Sequence, residues 1–387
     1  MLPGCSDGTN SSSIPSAGSD AETISTIIEI YSMEDRLDRM EKLIPVLRGL
    51  TADQADLIEE ALESFELPYR EDARILIVYA WAKHDPAAAT IWAIRNELAG
   101  FARTTMIQDS TYHWALEDPE AIIRDVAVKG YSRRGWDKAM LRALVRGWVG
   151  SGRPGLEQFV FGLGSGGDDQ QRAISELIKV RLPRDGADAM IAWVQDLSVA
   201  KASKQYARNR LAAEIAKTDP ARAVAWCDEV CGSSSGKDMP GWIVWEWAEE
   251  HGADAMDWIT SRPDSIESRV GARTAYRRFL RHAPGEAIAW VEATPEEQRT
   301  GSVLAGPIEA FVTNRSGKRM YDVAIKWANY IVEERARNQA LVSNVRRWLR
   351  YDKPAAEAWL AASSIPERVK PYVYEKGMIP NHVYEVE

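Results

Sequence analysis

The sequence predicts an all-α protein, a right-handed α-solenoid (superhelix) of about nine helix-pair repeats of 32–37 residues. Three observations carry that expectation. An aspartate–proline break followed by alanines and a tryptophan recurs along the chain. Between these motifs apolar residues return every three or four positions, the period of a helix with one buried face. Finally, 15 Trp stand against 6 Phe, an excess that a repeated structural role explains.

The 387 residues are 45% hydrophobic and 27% charged, enough apolar material to fold the bulk of the chain. A net charge of −9 and a pI near 5.3 argue against a dedicated nucleic-acid binder, which wants a basic face. Three cysteines cannot form a disulfide framework, so packing must hold the core. No stretch reaches the roughly 18 apolar residues of a membrane span.

Residues 1–21 read as a flexible tether. Leu2-Pro3-Gly4-Cys5 is followed by Ser6-Asp7-Gly8 and a run of Ser, Asn, Gly and Pro that cannot bury a core. Cysteine followed by tether resembles the start of a mature bacterial lipoprotein. That resemblance implies lipidation of Cys5, a membrane held through the lipid anchor alone, and a place in the bacterial cell envelope. If Cys5 is incidental, the expectation is a cytoplasmic protein. Residues 22–68 read as an N-terminal helical cap, in which Thr51-Ala52-Asp53-Gln54 opens a helix.

The repeat array occupies residues 69–370. Asp85-Pro86 leads to Trp92, Asp219-Pro220 to Trp226, Ala283-Pro284 to Trp290 and Lys353-Pro354 to Trp359. Degenerate copies end at Arg124, Phe159, Trp193, Trp258 and Trp327, so the nine anchors are spaced by 32–37 residues. Aspartate before proline places an N-cap oxygen where a helix starts, and proline lacks an N–H that the first turn does not need. The short Ala-rich helix A that follows has Trp as its large knob. A longer helix B precedes each anchor. Eleven residues before the anchors it offers Trp81, Trp148, Leu182, Ile215, Trp247, Phe279 and Trp348, with Trp114 offset by one. Pairs such as Leu144-Val145, Leu211-Ala212 and Ile243-Val244 complete one buried face. Two helices cannot bury these faces alone, so neighbouring units must stack. In period and helix pairing the chain resembles the tetratricopeptide-like and HEAT-like α-solenoids, a class whose grooves generally bind proteins or peptides. Residues 371–387 read as a C-terminal tail that packs over or trails from the other end of the array.

Motifs of chemistry are few. Gly162-Leu163-Gly164-Ser165-Gly166-Gly167 spells the dinucleotide fingerprint, but a helix rather than a strand precedes it, so it reads as an interhelical loop. There is no Walker A run and no HExxH. His84, His251 and His282 fall at the ends of B helices, where imidazole meets free carbonyls. His113 reads as core or surface. The acidic pairs Glu249-Glu250, Glu296-Glu297 and Glu333-Glu334 read as solvated helix faces. Cys227 and Cys231 read first as small buried hydrophobes, with a disulfide as the alternative and a metal site as the third. No catalytic residue, cofactor or metal ligand is assigned.

One pattern reads as a surface. Twelve and thirteen residues before the anchors the B helices carry Arg146, Arg181, Arg277-Arg278 and Arg346-Arg347, and Trp245 takes that place in its own repeat. Trp242 lies one turn before Trp245. Tryptophan among arginines is a frequent composition of binding hot spots. The competing expectation is that the arginine stems cover apolar surface and pair with acids of the next repeat. Trp136 is a further candidate exposed aromatic. The leading function is therefore a non-enzymatic scaffold or adaptor for a protein partner. Binding of an envelope glycan or anionic polymer is second. An α/α-type polysaccharide lyase or hydrolase is third, without a cluster of acids to carry it.

Overall fold

The computed structural model describes residues 20–55, 57–63, 71–95, 100–129, 136–231, 238–263, 265–312 and 320–384. Among them every regular element is helical, with no strand. The chain divides into two compact units, residues 1–180 and 181–387.

In the first unit α1 (Asp20–Tyr31), α2 (Arg36–Arg48), α3 (Ala52–Ala55) and α4 (Ile58–Glu63) precede a regular alternation. The Thr51 segment does open a helix, the short α3, and the Gln54 amide oxygen accepts the Thr51 N–H at 3.2 Å. Longer and shorter helices then alternate: α5 (Glu71–Trp81), α6 (Pro86–Arg95), α7 (Gly100–Glu117), α8 (Pro119–Lys129), α9 (Lys138–Ser151) and α10 (Leu156–Gly162). Helix α2 packs on α5, α5 on α7, and α7 on α9. The boundary between units runs through α11 (Asp168–Asp185).

The second unit continues with α12 (Ala187–Asp196), α13 (Lys201–Ala216), α14 (Pro220–Val230), α15 (Met239–Trp247) and α16 (Gly252–Ser261). It ends with α17 (Ile266–His282), α18 (Pro284–Ala293), α19 (Gly301–Val312), α20 (Tyr321–Ala328), α21 (Glu334–Tyr351) and α22 (Lys353–Ala362). Here B helix packs on B helix without a break: α13 on α15, α15 on α17, α17 on α19, and α19 on α21. All nine anchors fall in successive short helices, α6 to α22 by twos.

The local chemistry follows the motif. Asp85, Asp118, Asp219 and Asp352 each accept a backbone N–H of the first helical turn, at 2.8–3.2 Å, from Ala88, Ala121, Arg222 and Ala355. Such a cap is worth about 1 kcal/mol. Ala283 supplies no side-chain cap to α18, and proline alone sets that start. Gly186, at φ +82°, turns α11 into α12 without a loop, a backbone region that disfavours any side chain.

The knobs eleven residues apart meet. Trp81 touches Trp92 at a ring separation of 6.4 Å, Trp148 touches Phe159 at 5.6 Å, Trp247 touches Trp258 at 6.1 Å and Trp348 touches Trp359 at 6.4 Å. Trp81, Trp92, Trp114, Trp148, Trp226 and Trp327 are buried, and Trp136, Trp247, Trp258, Trp290, Trp348 and Trp359 pack on the core from its edge. Trp193, Trp242 and Trp245 remain.

The C-terminal residues up to Tyr384 pack on the second unit. Val369, Val373, Ile379 and Val383 are buried in the core of the second unit. Arg346 of α21 donates to the carbonyls of Tyr372 and Gly377, and the Ile379 N–H donates to Gln339. No helix among the described residues is long and apolar enough to cross a membrane.

Candidate functional site

Helix α15 has two unlike sides. Ile243 and Val244 are buried, and Trp247 leans on Trp258. On the other side, at helical spacing, stand Asp238, Gly241, Trp242 and Trp245. Facing them from α17 are Glu267, Val270 and Thr274, and together these residues enclose an apolar cleft of about 580 Å³. Tyr206 of α13 meets the Trp242 ring edge-on at 5.7 Å, and the Gln205 amide donates to Asp238 at 2.9 Å. The two indoles are half-buried, held in place from one side and open to the cleft on another.

Below Trp245 lies a charged network. The Arg278 guanidinium sits 4.5 Å from the Trp245 ring centre and pairs with Glu249 and, at 3.7 Å, with Glu246. Glu246 also meets Arg210 at 3.6 Å and Lys217 at 3.9 Å, and Glu214 pairs with the same two cations. Three B helices are thus cross-linked through carboxylates matched by cations, an arrangement suited to holding helices in register. His282 stands 3.8 Å from Glu249 at its edge.

A second cleft, of about 590 Å³, lies among α17, α19 and α21. Arg269, Arg273, Arg335 and Arg347 line it, against Glu309 and Glu333. Arg273 pairs with Glu309 at 3.1 Å, and Glu333 accepts the Gly301 N–H.

The six arginines predicted from sequence divide into two kinds. Four are engaged. In the first unit Arg146 pairs with Glu176, which is almost fully buried. In the second, Arg181 pairs with Asp185 at 2.9 Å and stacks over Trp193, Arg278 joins the network above, and Arg346 holds the C-terminal carbonyls. Burial, then Arg350, pulls the Arg346 pKa down, while the Arg184 hydrogen bond is the main cause holding Asp185 down at about 2, helped by Arg181 against some desolvation. Arg277 and Arg347 are exposed with no ionic partner among the described residues. Trp242 and Trp245 come together in the cleft. Cys5 lies outside the described residues.

Two readings are corrected. Cys227 and Cys231 are joined in a disulfide, their Cα atoms 5.0 Å apart, rather than standing as separate buried thiols. The end of α14 brings the fifth residue back over the first, and Cys231 donates its N–H to the Cys227 carbonyl. Trp136 is not an open platform: it packs edge-on against Phe159 at 5.5 Å, and its backbone N–H donates to Asp169. The fingerprint glycines do lie between two helices, α10 and α11, with Gly164 and Gly166 at positive φ. Gly232-Ser233-Ser234-Ser235-Gly236 spells Gly-x-Ser-x-Gly, and lies outside the described residues. The element before it is α14, whereas a nucleophile elbow follows a strand.

Arg269, Arg273 and Arg335 were missed because the repeats were aligned at a single offset. Their signal was present: Arg269, Arg273 and Arg277 recur every four residues, one stripe of a helix.

Compared with protein-family models, with curated proteins and with solved structures, the chain finds no match.

Proposed function

We propose that the chain is a helical-repeat scaffold whose nine helix pairs stack as a right-handed solenoid and whose B helices present a surface to a protein partner. The single observation that carries this is the cleft around Trp242 and Trp245. Twelve of the other tryptophans are in or against the core, and burying these two as well would have been the default for so large an apolar side chain. An open apolar cleft with aromatic walls is where binding energy concentrates in protein interfaces. The Cys227–Cys231 disulfide supports an oxidising compartment, which agrees with a lipid tether at Cys5 and a place in the bacterial envelope.

The test is capture of partners by the full chain from the solubilised envelope of its native organism. Trp245→Ala with Arg277→Ala should lose the partner while the thermal melt stays within a few degrees. Undiminished capture by this double variant removes the surface from the proposal. Cys5→Ala should move the chain from membrane to soluble fractions, and an unchanged distribution removes the tether.

A second reading, glycan binding, draws on a polar cavity of about 820 Å³ beside α16 and α18. Trp290, Asp257, Thr260, Thr294, Glu297 and Gln298 line it, an aromatic ring among hydrogen-bonding groups. The Trp290 indole N–H is already committed to Asp257 at 2.8 Å, so stacking rather than indole hydrogen bonding would have to hold a sugar.

A further inference from the structure

Helix α17 separates two clefts of opposite character. Val270 and Arg277, seven residues apart and therefore on one line of the helix, are both exposed and form the ridge between them. On the α15 side, Glu267 and Thr274 turn toward the tryptophans. On the α19 side, Arg269 and Arg273 turn toward Arg335 and Arg347. Among the described residues, the charged groups lining the first cleft are both carboxylates, Asp238 and Glu267. The second carries four guanidinium groups against two carboxylates, and Arg347 has no ionic partner among the described residues.

We propose that this face of α17 binds one extended peptide segment of split charge. A lysine or arginine beside an aliphatic residue enters the Trp242–Trp245 cleft, and an aspartate or glutamate lies over the arginine cleft. The proposal rests on the protein-binding reading above. Its chemistry is complementary at each step. Indole faces attract cations, and Trp245 already carries Arg278 at 4.5 Å, while the apolar walls suit the methylene stem of a long basic side chain. The carboxylates of Asp238 and Glu267 favour that same cation and repel an anion. Across the ridge the preference reverses, and guanidinium groups pair with carboxylates in a planar fork.

The spacing follows from helix geometry. Packed helices stand about 8–10 Å apart, so the clefts on the two sides of one helix are separated by about that distance. An extended chain advances roughly 3.3 Å per residue, which puts the acidic side chain about three residues from the basic one. A polyanion would be held by the second cleft and repelled by the first. A small quaternary ammonium ion would use the first and ignore the second.

The experiment titrates the full chain with fluorescently labelled ten-residue peptides on a Gly-Ser frame. One carries Ile-Lys with Glu three residues on, one has that Glu replaced by Lys, one has the Lys replaced by Glu, and one keeps both charges but makes them adjacent. The first should bind at least about tenfold more tightly than each of the others, since a like charge placed at a rim is strongly disfavoured. Arg347→Glu should erase the advantage of the acidic residue, and Thr274→Arg, which puts a cation inside the first cleft, should erase that of the basic one. Thermal melts of both variants establish that they fold.

Equal binding of the first and second peptides would overturn the role of the arginine cleft. Full competition by tetramethylammonium would overturn the peptide in favour of a small-cation site. If no peptide binds but the captured partner is still lost on the Trp245 and Arg277 substitutions, the split-charge segment is wrong and the scaffold stands. If capture also ignores those substitutions, both fall.

Discussion

The α7–α9 seam of the first unit and the α15–α17 seam of the second are both contacts between consecutive B helices, yet they close differently. In the first, Gly147 lets the α9 backbone settle onto α7: a Cβ there would stand 2.6 Å from the Tyr112 carbonyl oxygen. Gly150, one turn on, is similarly close to Leu116. The second seam also has opposed glycines, but a Cβ on Gly241 would reach Gly271 at 3.8 Å, an ordinary contact. Beside them Trp242 and Trp245 stand off from Val270 and Thr274 and leave the cleft open. Side-chain size along the seam, rather than the helix pairing common to both, decides where a binding surface appears.

The sharpest way to break that contrast is one methyl group. Gly147→Ala should destabilise the chain by about 1–3 kcal/mol, because the clash is with backbone and cannot be relieved by a rotamer change. Gly241→Ala should be neutral or stabilising by up to about 1 kcal/mol, since alanine is the better helix former and there is room for it. Thermal melts followed by circular dichroism measure both. A Gly147→Ala protein as stable as the parent would mean that the first seam is not closed by glycine.

How much of this was legible in the sequence depends on the distance over which each feature is written. Helix starts were legible because Asp-Pro caps act within three residues, as at Asp85 and Asp219. The knob pairs were legible too, since Trp81 and Trp92 are only one turn of chain apart in the pair. Ion-pair partners were not. Arg146 finds Glu176 thirty residues later, and Arg278 finds Glu249 twenty-nine residues earlier, each one repeat away among many acids. Periodicity fixes which positions face a neighbour, but not which of several carboxylates comes within reach. The cleft was half legible: Trp242 and Trp245 were seen to share a surface, while Glu267 and Val270 opposite them could be placed only once α17 was docked.

The charged network offers a smaller test of the same contrast. Arg278 is largely covered and bonds to two carboxylates beneath Trp245, whereas Arg146 is about half exposed with one partner. Arg278→Ala should cost about 1 kcal/mol, since Glu246 keeps Arg210 and Lys217 and the Glu249 left behind is exposed. Arg146→Ala leaves the almost fully buried Glu176 carboxylate without its cation and should cost more, about 1–3 kcal/mol. Urea denaturation of the two variants gives the comparison. A larger loss at Arg278 would show that the network under the tryptophans, rather than the buried Glu176, is the stronger of the two charge clusters.

The smallest effect separates the two seams by pH. His113, on α7 next to the Gly147 contact, is partly buried between Tyr79 and Tyr112, and burial, then Lys83, pulls its pKa below the usual histidine value. The folded state thus prefers neutral imidazole. Its contribution is present above the unfolded pKa of about 6.5 and is lost as pH falls through the lower folded value. Nearby Asp109 on the same helix shifts upward by burial and acts in the opposite sense, so the His113→Gln variant is what isolates the histidine. Melting temperature should decline as pH falls from about 7 to 5, and His113→Gln should flatten the decline. Among the described residues, no histidine lines the cleft at the second seam. A decline that persists unchanged in His113→Gln would place the acid sensitivity elsewhere.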